Sequence, residues 1–154
     1  MLNKNNLDRI EELRKRYPTS KALVLPVLWM IQEQEGYISE ESMKEVAELL
    51  NVTLGHVLGV VTFYTMFNDR PIGKYHIEVC TNVSCMLKGS DEILRRVEER
   101  TGTACGSTSA DYKFTVSETE CMGACGFAPM IAVGEEYFEN LTPDGVDRVL
   151  EKLS

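Results

Sequence analysis

Two pairs of cysteines constrain this chain more than any other feature of its sequence. Cys80 and Cys85 enclose four residues, and Cys121 and Cys125 enclose three. The pairs are far enough apart in the sequence to lie on separate loops of one small domain. Four thiolates from two such loops hold either a zinc ion or an iron–sulfur cluster. These four side chains are therefore the candidate ligands of a metal centre.

The spacing within each pair favours an iron–sulfur cluster. Structural zinc sites usually draw on compact C-x2-C-type pairs that hold one ion in a tight tetrahedron. Longer intervals suit a wider group with two metal centres, and plant-type ferredoxins use a C-x4-C pair for a [2Fe–2S] cluster. Glycines beside Cys121 and Cys125 let the backbone approach a cluster and direct amide donors at its sulfurs. Zinc and buried structural cysteines remain as alternatives.

No other residues form a catalytic pattern. Cys105 lies in a turn-like stretch and is interpreted as a structural or incidental thiol. His56 and His76 lack partners at metal-binding spacing and are interpreted as packing or surface residues. The sequence contains no C-x-x-C pair of a dithiol redox enzyme and no glycine-rich phosphate-binding motif after a strand. We therefore expect no catalytic residues and no nucleotide or flavin pocket in this chain.

Composition and charge exclude several broad classes. The chain has 154 residues, 44% of them hydrophobic, which suits one small domain with an appended helical part. A net charge of −8 argues against a nucleic-acid partner. No apolar run approaches the ~20 residues of a membrane span, and the first residues lack the apolar core of a signal peptide. We expect a cytoplasmic protein with reduced thiols and no direct membrane insertion.

Hydrophobic periodicity predicts two parts of different architecture. Apolar residues recur at helical spacing as far as about residue 67, and Ser39 and Thr53 are typical helix caps. This pattern predicts four short helices in a small bundle. From Lys74 the spacing alternates in twos, which predicts a strand ending at Cys80 and then the order β-α-β-β-β-α. Both cysteine pairs follow strand ends in this scheme.

The predicted fold class is α+β, with a helical N-terminal domain over residues 1–70 and an α/β domain over residues 71–154. The second domain is expected to contain a strand over 113–119, a hairpin over 130–138 and a last helix beginning at Thr142 and Pro143. Residues 71–73 are the expected hinge. The aromatic segment 62–67 just before it has two interpretations, as core packing or as a docking surface. A polar substitution at Phe67 is expected to distinguish them.

Several segments together resemble one family. From about Ala22 to the C-terminus, the chain resembles the thioredoxin-like [2Fe–2S] subunit of respiratory NADH:quinone oxidoreductase (complex I), the E-subunit family of NADH dehydrogenase. The segments that carry this resemblance are Thr62-Phe63-Tyr64-Thr65-Met66-Phe67, Pro71-Ile72-Gly73-Lys74-Tyr75, Cys80-Thr81-Asn82-Val83-Ser84-Cys85-Met86-Leu87 and Glu120-Cys121-Met122-Gly123-Ala124-Cys125 with Ala128-Pro129.

The resemblance implies a thioredoxin-like [2Fe–2S] ferredoxin domain in which Cys80, Cys85, Cys121 and Cys125 bind one [2Fe–2S] cluster. In that family the neighbouring subunit is a flavoprotein, so FMN and NADH are expected on the partner alone. The expected function is that of an electron-transfer subunit of an NADH dehydrogenase, which exchanges single electrons with that flavin. The expected location is cytoplasmic, peripheral to the inner face of the cell membrane through the complex.

Three other functions remain open from the sequence. A free-standing thioredoxin-like ferredoxin would carry the same cluster, but it would not need the helical N-terminal part. The equivalent subunit of an NAD-linked hydrogenase or formate dehydrogenase would use the same cluster beside a related flavoprotein. A structural zinc-binding scaffold module would hold a colourless, redox-silent ion at the same cysteines. The colour and redox behaviour of the purified protein would separate the zinc module from the electron carriers.

Overall fold

The computed structural model describes residues 2–153, which fall into two compact units. The first unit ends at Pro71 and the second begins at Ile72. The first is helical, and the second contains a five-stranded sheet. The predicted α+β class is therefore confirmed. Within residues 2–153, no helix is long and apolar enough to cross a membrane.

The first unit contains the four predicted α-helices. Side chains cap three of them, because Asn3, Ser39 and Thr53 each accept a hydrogen bond from a backbone amide in the following turn. Gly36 ends the second helix in the left-handed conformation, with φ of 83°. The helices are α1 (Lys4–Arg14), α2 (Val24–Glu35), α3 (Glu40–Leu50) and α4 (Leu54–Phe63), with a 3₁₀ turn at Ser20–Leu23 before α2.

Each helix of the first unit contributes apolar side chains to one hydrophobic core. Ile10 of α1, Leu28 of α2 and Val46 of α3 are almost completely buried there, as is Val57 of α4. Ile38 and Met43, which flank the start of α3, are both buried, as expected for a hydrophobic staple. The unit is therefore stabilised by the amphipathic faces that the sequence predicts.

The second unit has a mixed sheet with the strand order β2-β3-β1-β4-β5. The central pair β1 and β3 is parallel, and the other neighbours are antiparallel. The helix α5 and the two-residue strand β2 are additions to the predicted order. The elements are β1 (Tyr75–Cys80), α5 (Val83–Leu87), α6 (Ser90–Thr101), β2 (Ser107–Thr108), β3 (Phe114–Thr119), β4 (Ile131–Val133), β5 (Glu136–Phe138) and α7 (Pro143–Lys152).

The two longer helices of this unit pack on the same apolar face of the sheet. Ile77 of β1 and Val116 of β3 contribute to a core that also contains Ile93 of α6 and Val146 of α7. Thr142 caps α7 through its side-chain oxygen, which accepts a hydrogen bond from the amide of Gly145, as predicted. The helices therefore hold the central strands in place from one side.

The register of the central strands brings the two cysteine pairs to one edge of the sheet. Cys80 at the end of β1 pairs with Thr119 at the end of β3. Because the strands are parallel, the segments that follow both strands leave at the same edge. At the opposite end, a Cβ on Gly73 would meet the backbone of Phe114 at 2.6 Å, so the two chain segments approach each other closely there.

The aromatic segment before the unit boundary is divided between core and surface. Phe67 is 7% exposed and belongs to the core of the first unit, with its ring centroid 6.2 Å from that of Trp29. Phe63, by contrast, is 76% exposed, and Tyr64 and Met66 are also exposed. The core interpretation therefore applies to Phe67, and a docking surface in this segment is limited to its exposed members.

We expect Phe67→Ser to destabilise the first unit by about 3–5 kcal/mol, because it removes a buried aromatic ring and leaves a cavity. The measurement is urea unfolding followed by the fluorescence of Trp29, the only tryptophan. Phe63→Ser is the matched control, and its free energy of unfolding should change by no more than about 0.5 kcal/mol. Equal effects of the two substitutions would contradict this assignment of core and surface.

Two glycine-to-alanine substitutions should have opposite effects. Gly73→Ala should destabilise the second unit by about 1–3 kcal/mol, because the new Cβ overlaps the Phe114 backbone. Gly59→Ala in α4 should stabilise the first unit by about 1 kcal/mol, since its Cβ meets nothing within 4 Å and alanine favours helix. Hydrogen exchange measured by mass spectrometry reports on each unit separately. Slower exchange in β1 and β3 of the Gly73 variant would contradict the close approach.

Candidate metal centre

The first cysteine pair is buried at the end of β1. Cys80 is the last residue of the strand, and Cys85 lies within α5, which begins two residues after Thr81. The side chain of Asn82 caps this short helix by accepting a hydrogen bond of 2.8 Å from the Val83 amide. Cys80 is 3% exposed and Cys85 is 2% exposed. The strand and the helix thus bring the two thiols close enough for each to shift the pKa of the other.

Hydrogen bonding makes the two buried thiols unequal. Burial raises the pKa of Cys80, but donors from the Asn82 and Met122 amides and from Cys85 outweigh burial, so its pKa lies below the usual value. Burial, followed by the hydrogen bond and charge of the adjacent Cys80, raises the pKa of Cys85 to about 11. Cys80 is therefore the more acidic thiol of the pair, and Cys85 is the less acidic one.

The second cysteine pair lies in the loop after β3 and is exposed. The Gly123 amide donates a hydrogen bond of 3.4 Å to the sulfur of Cys121. Gly123 has φ of 76°, a conformation that glycine adopts without strain. Cys125 begins a 3₁₀ turn at Cys125–Phe127. The glycine predicted to supply an amide donor near the cysteines thus does so at Gly123.

The two loops meet at the buried pair. The backbone of Met122, in the loop after β3, helps to lower the pKa of Cys80 at the end of β1. Negative charge on Cys125 contributes to the raised pKa of Cys85. Ala128 and Met130 pack with both buried cysteines in a small apolar cluster that is separate from the core of the sheet. Four thiols from two loops therefore share one end of this unit.

The donor set fits a thiolate-bound metal group. Cysteine thiolates are soft ligands suited to zinc or iron–sulfur clusters, and amide donors aimed at sulfur stabilise the negative charge that ligation requires. Within residues 2–153, no three histidine, cysteine or acidic side chains are close enough to hold a single metal ion. The side chains of the first pair are buried, whereas those of the second pair are exposed to solvent.

The remaining candidate residues lie in structural hydrogen bonds. The Cys105 amide donates to the Glu98 carboxylate at 2.7 Å, and burial followed by the charge of Glu118 raises the pKa of its thiol. His76 shares a hydrogen bond of 2.7 Å with Ser117 across β1 and β3, and burial lowers its pKa. His56 is half-buried on α4. That these three residues are not metal ligands stays a prediction.

The sequence did not reveal two donors to the site. The backbone amides of Asn82 and Met122 stabilise the Cys80 thiolate, and backbone groups leave no composition signal. Asn82 carries a partial signal, because asparagine before an apolar stretch is a typical helix cap. Recognising that cap would have predicted the start of α5.

The family model for thioredoxin-like [2Fe–2S] ferredoxins matches residues 10–154 of this sequence. The chain belongs to this family. The thioredoxin-like [2Fe–2S] ferredoxin fold predicted for the second unit is thereby confirmed.

Two relatives extend the match to nearly the whole chain. The chain is 40% identical over 153 residues to the E subunit of the NADH-quinone oxidoreductase of Rickettsia conorii, and the match covers 97% of this chain and 92% of the relative. It is also 40% identical over 146 residues to the second E subunit of the NADH-quinone oxidoreductase of Rhizobium meliloti, covering 95% and 87%. The predicted membership of the E-subunit family is confirmed.

A solved structure shares the fold of this chain. An NAD⁺-reducing [NiFe]-hydrogenase in the air-oxidized state superimposes with a TM-score of 0.74 at 19% identity. The match covers 85% of this chain and 22% of the hydrogenase chain. The chain thus spans about a fifth of the length of that hydrogenase chain, and at this identity the likeness is one of fold.

Proposed function

We propose that this chain is the [2Fe–2S] electron-transfer subunit of an NADH:quinone oxidoreductase. It exchanges single electrons with the FMN of an adjacent flavoprotein subunit, which also binds NADH. The chain contributes one cluster and no substrate-turnover site of its own. The complex lies in the cytoplasm against the inner face of the cell membrane, and this subunit reaches the membrane only through its partners.

One observation carries the proposal: the loops of both cysteine pairs meet at the edge of a sheet in a chain 40% identical to an E subunit of an NADH-quinone oxidoreductase. The backbone of Met122 in the second loop also contributes to the lowered pKa of Cys80 at the end of β1. A zinc scaffold would not need the E-subunit sequence over nearly the whole chain. The two lines of support are independent, because one rests on contacts and the other on overall sequence.

Cys80, Cys85, Cys121 and Cys125 would hold the cluster through their thiolates. When bound, a [2Fe–2S] cluster supplies a centre that accepts and returns one electron. The Asn82 and Met122 amides stabilise negative charge on the Cys80 sulfur, and the Gly123 amide does so for Cys121. Ala128 and Met130 exclude water from the buried pair.

Two carboxylates near the second loop disfavour added negative charge, which is the opposite of the effect of the amide donors. Glu118 is the second-last residue of β3, with its carboxylate 3.4 Å from the Thr81 hydroxyl, and Glu120 directly precedes Cys121. Both are exposed, so solvent screens their charge. Added negative charge disfavours the uptake of an electron, whereas the amide donors favour it. The reduction potential of a cluster bound here would depend on the balance between these carboxylates and the amide donors.

The first test is the visible spectrum and EPR signal of the full chain purified without oxygen. A red-brown protein that bleaches with dithionite and gives one S = 1/2 signal is the expected result. A colourless protein that carries one equivalent of zinc, even after iron–sulfur reconstitution, would overturn the proposal. Zinc and iron analysis of the same sample distinguishes the two outcomes directly.

Cysteine variants test the proposed ligands. Cys85→Ser should lose most of the cluster absorbance, because it removes a ligand and leaves a buried hydroxyl in its place. Cys105→Ser is the matched control and should keep the full spectrum and iron content. Loss of the cluster in the Cys105 variant, or its retention in the Cys85 variant, would contradict this ligand set.

Electron exchange with the flavin needs a separate measurement. The chain is mixed with the FMN-binding subunit of the same organism, and NADH is added without oxygen. The cluster should bleach only when that subunit is present. A cluster that dithionite reduces but NADH does not, in the mixture, would contradict the proposed partner.

A further inference from the structure

A side-chain hydrogen bond joins the two strands that lead to the cysteine pairs. The hydroxyl of Thr119, at the end of β3, donates to the carboxylate of Glu78 in β1 across 2.8 Å. Glu78 lies two residues before Cys80. Thr119 lies two residues before Cys121. The bond therefore connects the two chain segments that come directly before the first cysteine of each pair.

The register of the parallel strands explains how this bond forms. Glu78 is paired with Ser117, and Thr119 is paired with Cys80. Paired residues, and residues two positions further along either strand, point to the same face of a sheet. The Glu78 side chain thus reaches diagonally across the strands to the hydroxyl that lies beside Cys80.

A second bond with the same diagonal geometry lies further from the cysteines. His76 and Ser117 share a hydrogen bond of 2.7 Å, and each lies two residues before its counterpart in the Glu78–Thr119 bond. Two residues correspond to roughly 7 Å along a strand. Both bonds link β1 to β3, but only the Glu78–Thr119 bond lies where the cysteine segments leave the sheet.

The segment that follows Thr119 is open to solvent. Glu120, Cys121 and Gly123 are exposed, and Met122 is half-buried. An exposed loop with little buried apolar surface moves at a small cost in free energy. The position of Cys121 therefore depends on how firmly the end of β3 is held.

Two side-chain links between the end of β3 and the chain around Cys80 differ in strength. The Thr81 hydroxyl lies 3.4 Å from the Glu118 carboxylate, which is long for a hydrogen bond between oxygens, and the pair is exposed. The Glu78–Thr119 bond is shorter and partly buried, so water competes with it less. Of these two links, the Glu78 carboxylate provides the stronger one.

We propose that Glu78 and Thr119 are positioning residues, whose hydrogen bond holds the second cysteine pair in place for ligation. This inference rests on the proposed function, because it takes Cys121 and Cys125 as ligands of the [2Fe–2S] cluster. Glu78 acts through the Thr119 hydroxyl, which fixes the point at which the second loop begins. Without the bond, that loop moves more freely and releases the cluster more readily.

The test is the rate at which the full chain, loaded with its cluster, loses visible absorbance to excess EDTA without oxygen. Thr119→Val removes the hydroxyl, keeps the size of the side chain and leaves the charge of Glu78 in place. It should speed the loss about tenfold, since a hydrogen bond to a charged group is worth roughly that factor or more. Thr119→Ser keeps a hydroxyl and should lose the cluster within about twofold of the unsubstituted rate.

Ser117→Ala is the matched control, because it breaks the neighbouring bond to His76 on the same two strands. This variant should lose its cluster at the unsubstituted rate. Equal acceleration by Ser117→Ala and Thr119→Val would show a general weakening of the sheet and would overturn the proposal. Hydrogen exchange in β1 and β3 covers a Thr119→Val chain that takes up no cluster. Exchange as slow as in the control supports the positioning role, and faster exchange overturns it.

A double-mutant cycle tests whether Thr119 acts through Glu78. Glu78→Ala removes the acceptor, so Thr119→Val should have no further effect on the rate of cluster loss in that background. A tenfold effect that persists in the Glu78→Ala background would contradict the assignment of the two residues as a pair.

The outcomes separate this inference from the proposed function. If the unsubstituted chain holds a cluster that NADH reduces through the flavoprotein, but Thr119→Val loses it at the unsubstituted rate, the positioning role is wrong and the proposed function stands. If the unsubstituted chain takes up no [2Fe–2S] cluster, the proposed function fails, and the positioning role fails with it.

Discussion

The parallel pairing of β1 with β3 is the constraint on which the second unit depends. Cys80 and Thr119 lie side by side at the ends of these strands, so the two cysteine segments leave from a common edge. Because side chains alternate across a strand, a shift of one residue would turn Cys80 to the opposite face of the sheet. The close approach of Gly73 to the Phe114 backbone opposes such a shift, since only a residue without Cβ fits there.

The two buried cysteines belong to a small apolar cluster that is separate from the hydrophobic core of the second unit. Apolar contacts between the sheet and the helices α6 and α7 form one cluster, and Cys80, Cys85, Ala128 and Met130 form another. The fold is therefore stabilised largely by contacts that do not involve the thiols. This separation lets the loops take the geometry that ligation requires while the sheet keeps its register. Catalytic and ligand-binding loops commonly rest on a rigid scaffold in this way.

The sequence predicted those helices and strands that are long enough to show a periodic pattern of apolar residues. The helices of the first unit, the strand ending at Cys80 and the cap at Thr142 all follow from hydrophobic spacing and capping chemistry. Periodicity could not reveal α5, which has five residues, or β2, which has two. Nor could it show that Cys85 is buried while Cys125 is exposed, because burial depends on contacts between distant segments. The four cysteines were identifiable from spacing, but their unequal surroundings and amide donors came only from the folded chain.

The unequal burial of the two cysteine pairs gives the metal-free chain one chemically vulnerable side. Thiol oxidation follows exposure and thiolate character, and it becomes irreversible at the sulfinic and sulfonic acids. Cys80 has the lowered pKa but is shielded by its surroundings, whereas Cys121 and Cys125 are open to solvent. Oxidants therefore reach the second pair first, and damage there removes two of the proposed ligands while the buried pair stays intact. If the proposed ligand set is right, the two exposed thiols set the time for which a newly made chain remains able to take up a cluster.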